Sequence, residues 1–170
     1  MQSQRLDSLI PKISAIIGSE GVSTGQRAAL RRMTPRQPPP LAFYSFAVNC
    51  LPDGWDRNNE SRKDWVTIVG GIALMSPNSH DPKRGLGRAL SESEYSEARL
   101  QRLLSDSATG DVLRFLVLRA SRFLAAKLTP FDWVQGSALL LTRDQDRLDS
   151  IREQIAKDFY RAKRERERGD

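Results

Sequence analysis

The residues from Asp64 to Met75, DWVTIVGGIALM, decide the fold class of this chain. A short and almost continuously apolar run fits either a buried helix or a buried strand, and its periodicity alone does not separate the two. A buried strand needs partners, and the sequence contains no second clear β segment. We therefore predict a helix, in which Gly70-Gly71 either admits a neighbouring backbone or weakens the helix at mid-length.

The segments before this run also indicate helices. Leu41 to Leu51 (LAFYSFAVNCL) fits a buried helix, although its aromatic residues would also suit a strand. Apolar residues from Leu6 to Ile17 recur at three- and four-residue steps, which predicts a helix that starts at Pro11 or bends there. Gln26 to Met33 combines high helix propensity with three arginines, and a proline-rich connector follows it.

The segments after the run continue the helical pattern. Ser76 to Gly87 predicts a loop, because it contains two prolines and two glycines. Residues with N-cap chemistry then predict three helix starts. They are Ser93 for a helix from Glu94 to Leu104, Asp111 for one from Val112 to Leu128, and Thr129-Pro130 for one that closes at Leu139 to Leu141. A last helix is predicted from Gln145 to Arg164, followed by a solvated, fraying RERER end at Arg164 to Arg168.

Together these segments predict an all-α protein, a compact bundle of about six to eight helices in a single domain over residues 1–170. The N-terminal helix (1–18) and the charged tail (161–170) have no assigned role. The longest apolar stretch, 41–51, is too short to span a bilayer, and no signal peptide opens the chain. One cysteine, Cys50, excludes an intramolecular disulfide. We expect a cytoplasmic protein without membrane association.

The charge balance is the first indication of function. Lys and Arg number 27 against 21 Asp and Glu, which gives a net charge of +6. Most of the basic residues are arginines, whose guanidinium group suits bidentate phosphate contacts. This composition favours binding to a polyanion, most naturally nucleic acid, over an ordinary basic surface.

The inventory of catalytic groups is thin. His80 is the single histidine and stands in a loop without an orienting partner, so we expect a surface residue rather than a general base. Cys50 lies in an apolar segment, where a thiol is usually inert packing. One Cys and one His cannot form a zinc site, and no cofactor is expected. Gly85-Leu86-Gly87 lacks the spacing of a phosphate-binding loop. Enzymatic activity is therefore disfavoured.

The candidate nucleic-acid contacts fall into three groups of basic residues. Residues 83–127 hold nine Lys or Arg against five Asp or Glu, so a positive surplus remains even if every acid is paired. The alternative is that these are solvated helix faces, neutralised by Glu92, Glu97, Asp106 and Asp111. The candidates are Arg27, Arg31 and Arg32 on the second helix; Lys83, Arg84 and Arg88 around the glycine loop; and Arg99, Arg102, Arg119, Arg122 and Lys127 on later helices. No base-reading motif accompanies them, which predicts salt-dependent contact with the backbone.

Four segments, in order, resemble one known family. They are Gly25 to Met33 (GQRAALRRM) before a proline-rich linker, Leu86 to Leu90 (LGRAL), Glu97 to Leu104 (EARLQRLL), and Phe131-Asp132-Trp133. Their order and spacing resemble the CasB family, the small subunit of the type I-E CRISPR Cascade complex, over roughly residues 20–160. Leu86, Leu90, Leu103 and Trp133 within these segments fit core positions.

The resemblance implies a non-catalytic helical subunit of an RNA-guided antiviral complex. By its family, it would be present as a homodimer and contact CRISPR RNA, target DNA and the other Cascade subunits. The resemblance further implies that the three basic groups hold the guide–target region and the displaced DNA strand, with sequence choice left to base pairing. The alternative is a pure assembly subunit whose basic surface contacts acidic protein neighbours. A helical enzyme is the third and least favoured hypothesis.

Overall fold

The structure is a computed structural model that describes residues 2–169, and over this range the chain is all-helical. No strand occurs within it; the one β feature is an isolated parallel bridge between His80 and Phe131. The helices are α1 (Gln2–Gly18), α2 (Thr24–Arg31), α3 (Leu41–Cys50), α4 (Asn59–Met75), α5 (Leu86–Glu92), α6 (Glu97–Leu103), α7 (Gly110–Ala126), α8 (Trp133–Leu141) and α9 (Gln145–Gly169). The predicted fold class is confirmed.

The number of helices, nine in the described range, lies just above the six to eight that the sequence predicted. The additional helix is α5, which begins inside the segment predicted as a loop. Its N-cap residue, Gly85, has no side chain to cap the helix. The side chain of Gln135 on α8 takes this role, because its Oε1 accepts the Leu86 N–H at 2.7 Å. A capping partner 49 residues away leaves no local sequence signal.

The run from Asp64 to Met75 lies within α4, as predicted, and α4 has more buried residues than any other described helix. It begins earlier, at Asn59, because the Asn58 side chain accepts the Ser61 N–H at 2.8 Å and caps the first turn. Gly71 admits a neighbour: a Cβ there would lie 2.2 Å from the indole of Trp133. The neighbour at Gly71 is thus a side chain, while at Gly70 the atom nearest to such a Cβ is the backbone carbonyl oxygen of Leu30, at 3.5 Å.

The apolar faces of all nine helices contribute to one core cluster. Helix α4 packs against α7, α2, α1 and α8, while α5 lies along α9. The four residues assigned to the core within the family-like segments are confirmed as buried, each 2% exposed or less. They are Leu86, Leu90, Leu103 and Trp133. Helix α1 continues through Pro11, so the start predicted there is wrong.

The three helix starts predicted from N-cap residues are wrong by two or three residues, whereas the last helix begins at Gln145 as predicted. Ser93 ends α5, and Ser96 caps α6 by accepting the Arg99 N–H. Helix α7 starts after Thr109, and Asp111 lies in its first turn, where it binds the Arg114 guanidinium at 2.9 Å. In α8 the cap is Asp132, whose Oδ1 accepts the Val134 N–H. In each place two residues that can act as N-caps stand within three positions of each other, so their type alone does not decide which one caps the helix.

The prediction that RERER frays is also wrong. Helix α9 runs to Gly169, and its last turns are attached to α5 and α6. Glu165 binds the Arg88 guanidinium at 2.8 Å, Lys163 pairs with Glu97, and Arg166 donates to the Ser91 hydroxyl. Alternating charge at the end of a helix therefore marks a contact between helices in this chain.

Candidate nucleic-acid interface

Helices α6 and α7 bring three of the predicted arginines to one place. Burial of Leu100 and Leu103 fixes the rotation of α6 and leaves Arg99 and Arg102 exposed. Arg119 projects from the exposed side of α7. The three arginines line a hollow of about 120 Å³ together with Tyr95, Leu116 and Phe123.

We call Arg99, Arg102, Arg119, Arg122 and Lys127 the lateral basic strip. All five side chains are exposed, and among the residues that the structure describes none has a carboxylate within 4.0 Å. Two of the cations rest on aromatic rings: Arg99 lies 5.9 Å from the Tyr95 ring centre and Lys127 lies 5.8 Å from that of Phe123. Burial raises the pKa of the Tyr95 hydroxyl, and the charges of Arg99 and Arg119 oppose this effect.

The four acids that the sequence offered as partners for these cations are bound to other basic residues. Their first partners are Arg84 and Arg88 for Glu92, Lys163 for Glu97, Arg152 for Asp106, and Arg114 and Lys63 for Asp111. The hydrogen bond from Lys163 lowers the pKa of Glu97, so this carboxylate stays ionised and paired with Lys163. None of these four acids therefore lies within 4.0 Å of a cation of the strip.

The glycine-loop group is largely neutralised. Arg84 lies 3.2 Å from Glu92, and Arg88 binds both Glu92 and Glu165. Hydrogen bonds to Glu165 and Glu92 raise the pKa of Arg88. Lys83 alone in this group is exposed and has no carboxylate within 4.0 Å in the described range.

Two arginines of the α2 group bind backbone carbonyls. Arg27 donates from Nε to the Ile17 carbonyl at 2.8 Å and from Nη2 to the Ser19 carbonyl at 2.8 Å. Arg31 donates from Nε to the Ala73 carbonyl at 2.9 Å. These carbonyls lie at the C-terminal ends of α1 and α4, where intrahelical donors run out. Arg32 is exposed.

The three groups thus differ in their bonding. The structure joins Arg99, Arg102 and Arg119 around one hollow, with Arg122 and Lys127 on the same helix or just after it. It also shows a cation that the sequence prediction missed. Arg36, 5.0 Å from the Phe115 ring centre, follows the proline at position 35 and stands before α3. In the sequence, the only sign of Arg36 as a candidate contact is that it lies in a segment rich in arginine.

Other chemistry is sparse in the described residues. The His80 side chain is 7% exposed, not on the surface as predicted, and its Nδ1 accepts the Trp133 N–H at 3.1 Å. Burial raises the pKa of the Cys50 thiol, which makes it a poor nucleophile. Within residues 2–169 no three His, Cys, Asp or Glu side chains are grouped to hold a metal ion. None of the described helices has the length and apolar character needed to cross a bilayer.

Comparison with known families identifies the chain. Residues 26–160 match the family model of the CRISPR-associated protein Cse2. The chain belongs to the Cse2 family. This confirms the resemblance to the Cascade small subunit, and it makes the chain a member of a family of structural Cascade components. No curated protein matches it. The family match includes α2 to α8 and the strip, and leaves out α1 and the last turns of α9.

Proposed function

We propose that this protein is the non-catalytic small subunit of a type I-E CRISPR RNA-guided surveillance complex in the cytoplasm. In this role it binds nucleic-acid backbone in the guide–target region and along the displaced DNA strand, as a homodimer beside the other Cascade subunits. The observation that carries the proposal is the lateral basic strip, five exposed cations without a carboxylate within 4.0 Å among the described residues. Phosphates would supply the missing negative charge.

The three basic groups contribute unequally to the proposed interface. Residues of the strip are free to contact phosphate directly, as are Arg32 and Lys83. Arg84 and Arg88 would first have to leave Glu92 and Glu165. Arg27 and Arg31 already donate to carbonyls, so phosphate contacts at these two would use the remaining guanidinium N–H groups.

The test is binding of the purified protein to labelled single strands of unrelated sequence across a salt series. Five phosphate contacts predict a log–log salt slope of about −3.5 for a single strand, equal for all sequences. Arg99→Ala and Arg119→Ala should each reduce the steepness by about 0.7 to 1 unit. Arg57→Ala removes an equally exposed arginine outside the strip and should leave the slope unchanged. Equal slopes for all variants would refute phosphate binding by the strip.

The second candidate is a pure assembly subunit. An exposed apolar stripe on α3 favours protein contacts: Leu41 is 86% and Val48 is 77% exposed, three- and four-residue steps from Tyr44. In this case the strip would meet acidic protein surfaces, and charge reversal there would disrupt the complex without changing nucleic-acid affinity.

A further inference from the structure

We propose that the groove between α6 and α7 binds unpaired nucleobases on its apolar floor, in addition to phosphates at its arginines. This inference rests on the proposed function and deepens it, because it makes the single strand the preferred ligand of the strip. The bases would be held by apolar contact and stacking, without selection of one base over another.

The groove consists of two hollows that share Arg102 and Leu116. The first is the hollow of about 120 Å³ in which Arg99, Arg102 and Arg119 converge. The second, of about 390 Å³, continues along α7 to Val112 and is bordered by polar side chains that include Gln101 and Ser105. Two adjoining hollows give room for more than one residue of a bound strand.

The floor of the groove is formed by one face of α7. Val112, Leu116 and Phe123 are four and seven residues apart, a spacing that places them on the same side of a helix. Val112 is 53% exposed although α7 belongs to the core, and Leu116 and Phe123 are only partly buried. Leu116 and Phe123 therefore line the hollow that holds the three arginines, and Leu116 and Val112 carry the apolar surface into the second hollow.

A nucleic-acid strand offers a partner for each part of the groove: phosphates for the arginines and bases for the apolar floor. Single-strand binding sites combine a positive groove for the phosphates with aromatic side chains on which the bases stack, and Phe123 is the aromatic residue of this floor. A duplex keeps its bases paired and stacked in its interior and offers mainly phosphate and sugar to such a groove. The floor would therefore contribute to the binding of a single strand and not to that of a duplex.

An abasic strand provides the direct test, because it carries the same phosphates without the bases. We expect the full-length protein to bind a mixed-sequence single strand at least about fivefold more tightly than an abasic strand of equal length, since a stacked base contributes at least about that factor. The salt slopes of the two should agree, because the phosphates are unchanged. Equal affinities would overturn the inference but leave phosphate binding by the strip intact. Loss of salt dependence for both strands would refute the proposed function itself.

Val112→Ser tests the floor with little risk to folding, because half of this side chain is already in water. The variant should lose affinity for the base-containing strand and bind the abasic strand as before. Val48→Ser on α3 is the matched control, an exposed valine outside the groove, and should bind both strands like the unmodified protein. An unchanged preference in Val112→Ser would remove this residue from the floor and overturn the proposal as stated.

Discussion

Arginine has three different environments in this protein, and the environment decides what each residue can do. Arg114 is 2% exposed and binds Glu60, Asp64 and Asp111. Arg31 is half-buried and caps carbonyls at the end of α4. Arg119 is exposed and has no carboxylate within 4.0 Å in the part of the chain described. Sequence spacing alone does not distinguish these environments, because burial and long-range partners define them.

Arg114→Met should be strongly destabilising. Removing one partner of a buried ion pair costs about 3–5 kcal/mol, because the remaining charge stays buried. Here that charge is Asp64, which is 1% exposed and keeps only Arg143. Burial raises the pKa of Asp64, against the lowering effect of Arg143 and Arg114. The loss in free energy of unfolding caused by Arg114→Met should therefore become smaller as the pH falls through this raised pKa, because the Asp64 carboxyl becomes neutral. Urea unfolding at several pH values measures it.

Arg122→Met is the control for this comparison. Its side chain is exposed and lies on the same helix as Arg114, without a carboxylate within 4.0 Å among the described residues. The free energy of unfolding should change by no more than about 0.5 kcal/mol. A similar loss of stability in both variants would contradict the structural role assigned to Arg114.

Arg31→Ala should lower stability without changing the salt slope of nucleic-acid binding. The change removes the side-chain donor of the Ala73 and Ser76 carbonyls. Because the Ala73 carbonyl keeps the Ser76 N–H, we expect a loss of about 1 kcal/mol, the net contribution of an ordinary hydrogen bond. Thermal unfolding and the salt series are to be measured on the same protein. A slope reduced by about one unit would instead assign Arg31 a phosphate contact, as the sequence predicted.

At the scale of the helices, the sequence predicted which segments are helical better than where they begin. The stripe from Leu6 to Ile17 and the run in α4 carry strong apolar signals, and both are helices. The start of α6 depends on a choice between Ser93 and Ser96. That choice is made by α5, which ends at Ser93 and is followed by Glu94 at a φ of 63°. Because the cap of α5 comes from α8, local sequence gives no information about it.

The close packing of α5 on α9 depends on Gly87. A Cβ at this position would lie 2.0 Å from the Ile155 carbonyl oxygen, a backbone atom of α9 that has no free rotation. Gly87→Ala should therefore force the two helices apart and cost at least about 1–3 kcal/mol, the usual range for an overpacked core. Denaturant unfolding measures the loss.

Gly25→Ala is the matched control for the α5–α9 contact. A Cβ at this position on α2 meets no atom within 4 Å, and alanine has the better helix propensity. This variant should be more stable by about 0.4–1 kcal/mol. If Gly87→Ala were equally well tolerated, the close approach of α5 to α9 would not exist in solution.

Across the whole molecule, the place where positive charge remains unpaired depends on which residues form ion pairs more than on the number of basic residues. The net charge of +6 predicted a polyanion ligand but not its position, because 27 basic residues offer many candidate surfaces. The fold pairs Glu92, Glu97, Asp106 and Asp111 with other cations, which are Arg84, Arg88, Arg114, Arg152 and Lys163. The residues of the strip were among the candidates that the sequence predicted. Only the tertiary contacts show that they lack the partners that most residues of the other two groups have.

This arrangement predicts that nucleic-acid binding and assembly can be separated. Reversing two charges, Arg99→Glu with Arg119→Glu, changes exposed side chains that make no side-chain hydrogen bond within the described range, so the fold should persist. We expect the double variant to co-purify with the other Cascade subunits as before. Its affinity for single strands should fall at least about tenfold at low salt, since two attractive phosphate contacts become repulsive.

The comparison must include a variant with the same change of charge outside the strip, and Arg57→Glu with Arg147→Glu supplies it from two exposed positions. This control should retain most of the affinity, because the local field at the strip, and not the total charge, attracts the phosphates. The assembly hypothesis predicts the reverse for Arg99→Glu with Arg119→Glu: the complex would be lost while the isolated protein kept its affinity. The two readouts from one purification therefore assign the lateral basic strip to nucleic acid or to protein.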